Sequence, residues 1–364
     1  MVLKDAIIKF NKSTIKAGDG TLKGKYPLYT CSPVVNKYLD DYLFDDEAII
    51  LGTGGNPVIN YCNGKFSVST DCLTMKATEK FSTKYLYYYL IGNIKKIESM
   101  FRGAGLKHLN KNELMKMQID NIEKEKQSKI VRELDKIQQV IDIRKKQKKQ
   151  LDELIKSQFV EMFGDPNLVN DNDKIELKSI MLNANNGMAR RGNDSDGNIV
   201  LRLVELQRNY IDYSNVNKIT LEENEKKKYL LSAGDILFAR VNGNPDNVGR
   251  CAYFKSIGED VYHNDHIIRV KFDLQRVNPI YLCVLLNDEY GKGEFKNKIK
   301  TSAGQYTISQ NGIDKVKIFL PPIELQNQFA DIVKQIDKQK FESVIKSKKE
   351  MEKIQKNIYY KWGK

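Results

Sequence analysis

The spacing of hydrophobic positions divides the chain into four blocks. Residues 1–120 carry short β-rich apolar runs, among them Glu47-Ala48-Ile49-Ile50-Leu51 and Phe66-Ser67-Val68-Ser69, cut by Gly, Asn and Pro. Within this block the stretch from Ser82 to Ile97 predicts a helix with Ser82 as its N-cap. Residues 121–165 differ in kind. Between 122 and 163 there is no Pro or Gly, and Ile130, Leu134, Ile137, Ile141, Arg144, Lys148, Leu151, Ile155, Gln158 and Met162 alternate by four and three. That is a coiled-coil seam with three polar interruptions, a rod on the order of 60 Å at about 1.5 Å per residue. Gly164-Asp165-Pro166 stops it. Residues 166–320 return to the mixed α/β pattern, with Asn278 and Pro279 as a helix start. Pro321-Pro322 then launches a second long helix within 321–364. Its apolar positions are Phe329, Ile332, Ile336, Val344, Met351, Ile354 and Ile358, with a heptad slip between Ile336 and Phe341.

The blocks repeat. Gly103-Ala104-Gly105 through Asn112 aligns with Ser302-Ala303-Gly304 through Asn311, an offset of 199. The same offset carries Lys116 to Lys315, Glu125 to Glu324, Gln127 to Gln326, Ile155 to Ile354 and Phe163-Gly164 to Trp362-Gly363. Upstream, sparser anchors give smaller offsets: Ala48-Ile49-Ile50-Leu51 on Ile236-Leu237-Phe238-Ala239 at 188, Asp71 on Asp265 at 194, and Tyr85-Leu86 on Tyr281-Leu282 at 196. A rising offset is what a few loop insertions in the second copy produce. Two copies of one unit suggest two similar sites. An isolated helix with an exposed apolar seam is marginal, so the two long helices are expected to pack on each other. The expected fold class is therefore α+β: two α/β domains separated by an antiparallel pair of long helices, a pseudo-twofold internal repeat.

Composition narrows the function. With 364 residues, 41% hydrophobic and 29% charged, the chain is long enough for two or three ordinary globular cores. No apolar run reaches a membrane span, and Met-Val-Leu-Lys-Asp lacks the layout of a secretory signal. Five scattered cysteines without a CxxC pair point to free thiols in a reducing, cytoplasmic setting. A net charge of +13 favours a polyanionic partner such as nucleic acid.

The block–helix–block–helix order and the run Pro321-Pro322-Ile323-Glu324-Leu325-Gln326 resemble the specificity subunit of Type I restriction–modification systems. That family typically reads Pro-Leu-Pro-Pro-Leu-x-Glu-Gln at this junction. Ser302-Ala303-Gly304-Gln305 is similar to its Ser-Gly-x-Gln turn, and Gly234-Asp235-Ile236-Leu237 to its Gly-Asp-Ile-Leu strand. The first junction, Asn121-Ile122-Glu123-Lys124, lacks the Pro pair. The resemblance implies that each α/β block is a target-recognition domain reading one half of a split, asymmetric site in double-stranded DNA. The helices would set the distance between halves and dock two methyltransferase (modification) subunits, with restriction/translocase subunits joining them. It further implies that S-adenosylmethionine, ATP and Mg act in those partners, and that this chain holds no catalytic, cofactor or metal site.

Motifs for intrinsic chemistry are weak. An amino-methyltransferase needs an Asp/Asn-Pro-Pro-aromatic loop, and Asn278-Pro279-Ile280-Tyr281 has Ile for the second Pro. Gly52-Thr53-Gly54-Gly55-Asn56 lacks the Gly-Lys-Ser/Thr ending of a phosphate loop and reads as a tight strand-exit turn. Glu176-Leu177-Lys178 has a nuclease-like spacing that a solvated strand edge also has, and His263-x-x-His266 has no further ligand pattern beside it.

Base readout needs Arg, Lys, Asn or Gln on loops, with further cations and hydroxyls on phosphates. The richest stretch runs from Arg240 through Asn242 and Asn244 to Arg250, with Arg190 and Arg191 as a second candidate. In the first block Thr53, Asn56 and Lys65 are assigned to the comparable strand exit. Arg102, Lys107 and His108 mirror Gln305 and Tyr306 beside the repeated Ala-Gly turn. Tyr87, Tyr88 and Tyr89 cannot share one helix face and are expected to divide between core and a partner-facing surface. Two rivals stand beside DNA recognition: a stand-alone, diverged methyltransferase or nuclease, and a coiled-coil protein-interaction scaffold.

Overall fold

The computed structural model describes residues 1–302 and 304–340. They form two compact units, Met1–Arg144 and the residues from Lys145 onward, and the boundary falls inside one helix.

The first unit comprises α1 (Leu3–Ala6), β1 (Ile7–Lys9), β2 (Tyr26–Tyr29), β3 (Tyr38–Leu39), β4 (Phe44–Gly52), β5 (Ile59–Val68), β6 (Cys72–Ala77), α2 (Thr83–Gly92), α3 (Ile94–Glu98), β7 (Phe101–Arg102), β8 (His108–Leu109), α4 (Lys111–Met115) and the start of α5 (Lys124–Phe163). Six strands form one sheet in the order β1-β6-β4-β5-β2-β3, antiparallel except where β2 runs parallel to β5. The unbroken run Ala48–Leu51 follows from burial on both faces of the sheet. Ile49 and Leu51 join Met75, Tyr85, Leu86 and Leu90 in the core under the helices, with Ile130 and Val131 of α5 packed against it. Ala48 and Ile50 point the other way, to Phe66 and Val68. The single helix expected over Ser82–Ile97 is two, broken at Asn93, whose side chain donates to Tyr89 O at 2.8 Å.

The second unit contains the rest of α5, then β9 (Lys174–Glu176), β10 (Met181–Asn186), β11 (Asn198–Leu201), β12 (Lys218–Ile219), α6 (Glu223–Tyr229), β13 (Ile236–Ala239), β14 (Val241–Asn242), β15 (Cys251–Tyr253), β16 (Val261–His263), β17 (Ile267–Phe272), α7 (Pro279–Asn287), α8 (Glu289–Lys296), β18 (Lys300–Ser302), β19 (Gln305–Thr307), α9 (Gln310–Asp314) and β20 (Lys317–Phe319). A helix α10 occupies 323–340. The sheet order β10-β17-β13-β15 repeats β1-β6-β4-β5 of the first unit. Beside it, β12-β11-β16 forms a second sheet in which β11 and β16 are parallel.

The repeat is therefore structural, and it corrects the register read from sequence by one residue. Ile236 and Phe238 face the helix-side core, as Ile49 and Leu51 do, so the equivalence is Ile49 to Ile236, an offset of 187 rather than 188. Likewise Thr53 N donates to Asp71 O, and Arg240 N to His266 O, so the counterpart of Asp71 is His266, not Asp265. A one-residue slip would turn every side chain to the opposite face, which identities between apolar residues do not report. The repeat also reaches further back than the sequence anchors did. Leu3 N donates to Met117 O at 2.8 Å and Leu177 N to Val316 O at 2.9 Å.

Each unit launches its long helix through one buried glutamine. Gln127 Oε1 accepts from Ser82 N at 2.8 Å, while its amide donates to Lys80 O and Ile122 O at 3.1 and 2.9 Å. Gln326 Oε1 accepts from Asn278 N at 2.9 Å, and its amide donates to Arg276 O and Pro321 O at 3.2 and 2.7 Å. In both units one side chain ties the cap of the core helix to the junction preceding the long one. The aligned Gln127 and Gln326 are thus an architectural pair, and the junction works with or without the Pro pair.

The seam positions of α5 are half-buried or buried, Lys148 excepted. In the second unit, α5 and α10 run antiparallel: the Phe159 and Phe329 rings lie 5.4 Å apart and Lys340 pairs with Asp152 at 2.7 Å. Phe341, Val344, Met351, Ile354, Ile358, Trp362 and Gly363, with Ala303, lie outside the described residues. The three consecutive tyrosines face their own chain. Tyr88 Oη donates to Asp135 at 2.6 Å, Tyr89 Oη to Gln118 O at 3.0 Å, and Tyr87 packs on Tyr61. Tyr89 is buried, whereas Tyr87 and Tyr88 keep part of their surface exposed. Among the described residues no helix is long and apolar enough to cross a membrane.

Candidate nucleic-acid interface

In the first unit the exit of β4 is built for close approach. A Cβ on Gly52 would meet Cys31 Cα at 3.1 Å, and Gly55 takes φ +79°. Thr53 donates to Asp71 O twice, from its N–H and its hydroxyl, both at 2.8 Å. The β7–β8 hairpin closes over this turn. Leu109 N donates to Thr53 O and Gly55 N to Lys107 O, each at 2.9 Å. Thr53, Asn56, Lys107 and His108 are therefore brought together, with the latter three exposed. Arg102 faces His108 across the hairpin, and its guanidinium is held by Glu113 at 3.3 Å and by Ser99 O.

Lys65 does not join them. It sits opposite Asp45, whereas the strand exit is at the Leu51–Ile59 pair. Six residues of strand separate Lys65 from Ile59, roughly 20 Å. Its ammonium instead lies 4.6 Å from the Tyr42 ring centre. Linear proximity to the glycine-rich turn concealed the length of the β4–β5 hairpin.

Cys31 completes the turn, its thiol donating to Asp71 O at 3.2 Å. A hydrogen bond with Cys72, aided by the Gly54 and Thr53 N–H groups, holds this thiol well below the ordinary thiol range despite partial burial. Cysteine count alone gave no sign of it.

In the second unit Arg240 stands at the equivalent exit. Its N–H donates to His266 O at 2.8 Å, its carbonyl accepts from Ile308 N at 2.9 Å, and Nη1 donates to Asp265 O at 3.1 Å. Asn242 pairs with Tyr306 in the β14–β19 ladder, and Gln305 is exposed at the neighbouring turn. Asn242 and Asn244 spend their side-chain oxygens on Asn244 N and Asp246 N, at 2.9 and 3.0 Å, which shapes the loop. Arg191 joins Arg240 through Asp265, pairing with its carboxylate at 2.7 Å. Arg190 turns away to Glu225 at 2.5 Å and Thr220 O at 2.7 Å. Arg250 is drawn inward to Leu203 O at 2.8 Å, and burial beside Arg208 lowers its pKa. It braces the loop from beneath.

The weak motifs resolve structurally. Asn278 Oδ1 caps Ile280 N at 2.9 Å, and Tyr281 Oη is buried on Phe319 O, so the Asn-Pro-Ile-Tyr run begins a core helix. Glu176 lies in the β9–β20 pair and Lys178 bonds Asp314 at 3.4 Å. His263 is enclosed against Tyr229 O at 3.2 Å, while His266 lies beside Arg191. Sequence reading overlooked Lys300. It faces Thr307 in the β18–β19 ladder as Arg102 faces His108, and only the matched hairpins reveal the pairing.

Two copies of one frame thus present different polar residues at the same strand exit. The Type I restriction modification DNA specificity domain matches residues 2–153 and again 176–353. The chain belongs to this family. Among its relatives are the StySPI specificity subunit of Salmonella potsdam, 34% identical over 162 residues, and the EcoKI specificity subunit of Escherichia coli K12, 27% identical over 166 residues. These alignments take in 44% and 45% of this chain but only 34% and 35% of the relatives, so the match spans about a third of their length. The crystal structure of a Type I restriction–modification S subunit from M. genitalium shares the fold, with a TM-score of 0.57 at 14% identity over 96% of this chain and 91% of that one.

Proposed function

We propose that the chain is the DNA-recognition subunit of a Type I restriction–modification complex, binding a bipartite, asymmetric site in double-stranded DNA. One observation carries this reading. The same strand exit, closed by the same hairpin, bears exposed Asn56, Lys107 and His108 in one family copy and exposed Asn244 and Gln305 in the other. A shared frame with different exposed chemistry is what two unlike half-sites require, because base edges are told apart by the donors and acceptors that meet them. Affinity arises largely from phosphate neutralisation, consistent with the charge of +13, and falls steeply with salt. Partner modification subunits bind S-adenosylmethionine and methylate adenine, and restriction/translocase subunits use ATP and Mg. This chain directs them in the cytoplasm without a catalytic step of its own.

The test is the modified-base pattern of DNA from cells with and without this gene, read by single-molecule sequencing. Loss of methylation at one split, unequal motif is expected. A palindromic motif would overturn the claim of two unlike half-sites. Methylation or cutting of DNA by the purified chain alone would overturn the non-catalytic role.

A further inference from the structure

Beside the Arg240 exit the second unit has an open cavity of about 300 Å³, lined by Asn186, Arg240, Lys300, Thr307, Ser309 and Asn311 among others, with no carboxylate in its wall. Arg240 is half-buried and fixed by Nη1 on the Asp265 carbonyl. Lys300 is exposed on β18, directly across from Thr307. Among the described residues no Asp or Glu pairs with either cation. The neighbouring arginines differ: Arg190 and Arg191 are already neutralised, by Glu225 and Asp265. Asn186 and Gln310 are engaged with each other at the edge of β10, and the Thr307 hydroxyl donates to Lys300 O, leaving the two cations, the Ser309 hydroxyl proton and the Asn311 amide around the opening.

We infer that this cavity seats a backbone phosphodiester of the DNA. The inference rests on the proposed DNA-recognition role and assigns Arg240 and Lys300 within it. Phosphates project from a duplex, whereas base edges lie recessed on the groove floor. A concave cationic site therefore meets phosphate, and a projecting loop meets bases. Both shapes occur here, side by side. The Asn242–Asn247 loop follows the short strand β14 just beyond Arg240, and Asn242 is laddered to the β19 strand that carries Thr307. A phosphate held by Arg240 and Lys300 would fix the register at which that loop enters the groove. Arg240 thus moves from base reader, its sequence-based assignment, to anchor. In the first unit Thr53 replaces Arg240, and Arg102, at the Lys300 position, is paired with Glu113, so the seat belongs to the second unit.

The experiment uses the full chain assembled with its modification partners. Binding to a duplex carrying the methylated motif and to a scrambled duplex is measured by fluorescence anisotropy across a salt series. Lys300→Gln is expected to weaken both duplexes by the same factor, about eightfold at 0.1 M salt, and to reduce the salt slope by about 0.9. Arg240→Gln should behave alike, while Arg240→Lys, which keeps the charge, should retain most of the affinity and so exclude a folding defect. Unchanged affinity and slope in Lys300→Gln would overturn the phosphate seat. So would a loss confined to the cognate duplex, which would make Lys300 a base reader. A wild-type assembly with no salt-dependent DNA binding would sink the recognition role itself, and the seat with it.

Discussion

Replacing Gln326 by Leu tests whether the paired glutamines govern each unit. Gln326 is fully buried and makes three hydrogen bonds, to Asn278 N, Arg276 O and Pro321 O. Leucine has a similar size but strands all three backbone groups. At about 1–2 kcal/mol for each buried group left unsatisfied, the loss is about 3–6 kcal/mol. Burying the leucine offsets about 1–2 kcal/mol of that. The net cost is then about 2–4 kcal/mol, a large share of a typical unfolding free energy of roughly 5–15 kcal/mol. The repeat supplies an internal control, because Gln127→Leu strands Ser82 N, Lys80 O and Ile122 O in the first unit. Urea unfolding followed by circular dichroism gives the totals. Native-state hydrogen exchange at the starts of α2 and α7 shows which unit has loosened. Each variant should loosen its own helix start. A loss below about 1 kcal/mol in both variants would refute the reasoning, since it would mean that water or backbone rearrangement replaces the lost partners.

Three further outcomes follow from the same structure. His263 is enclosed with Nε2 unpartnered, and burial pushes its pKa down to about 4. Because the unfolded imidazole titrates near 6.5, the unfolded state binds more protons below that pH. Stability should hold above about pH 7 and fall between about 6.5 and 4, by roughly 3 kcal/mol. His263→Gln should flatten that profile in urea titrations at stepped pH, and an unchanged slope would count against it. Cys31, with its lowered pKa and partial exposure, should be the first of the five cysteines alkylated by iodoacetamide at pH 7, as peptide mass spectrometry would show. Equal labelling of Cys31 and Cys62 would contradict the thiolate assignment. Phe159 lies within 5.0 to 6.2 Å of the Phe163, Tyr281, Phe319 and Phe329 rings, so Phe159→Ala should cost about 3–5 kcal/mol and lower Tm. A change of under 1 °C would mean that the α5–α10 contact is dispensable.

Much of the architecture was written locally. The period of 3.5 residues from Ile130 to Met162, ended by Gly164 and Pro166, dictated a long helix, because no other backbone conformation keeps such a stripe on one side. Asn278-Pro279 set a helix start for the same kind of reason, a cap oxygen followed by a preset φ. The duplication was legible because Gln127/Gln326 and the second strand of each hairpin, with the short helix after it, keep one spacing in both copies.

Other features depended on residues far apart in sequence. Strand register turned on which face meets the helices, and apolar identities tolerate a slip of one, so 188 had to become 187. Lys65 seemed adjacent to the glycine-rich turn until the β4–β5 pairing carried it to the far end of its hairpin. Arg190, Arg191, Arg240 and Arg250 were equivalent as loop arginines. Glu225, Asp265 and Leu203, distant along the chain, left only Arg240 beside an open, acid-free cavity. Periodicity and caps are short-range, and one sequence encodes them directly. Whether a cation is free depends on the carboxylates that folding brings to it, and that is decided only when the sheets and hairpins close.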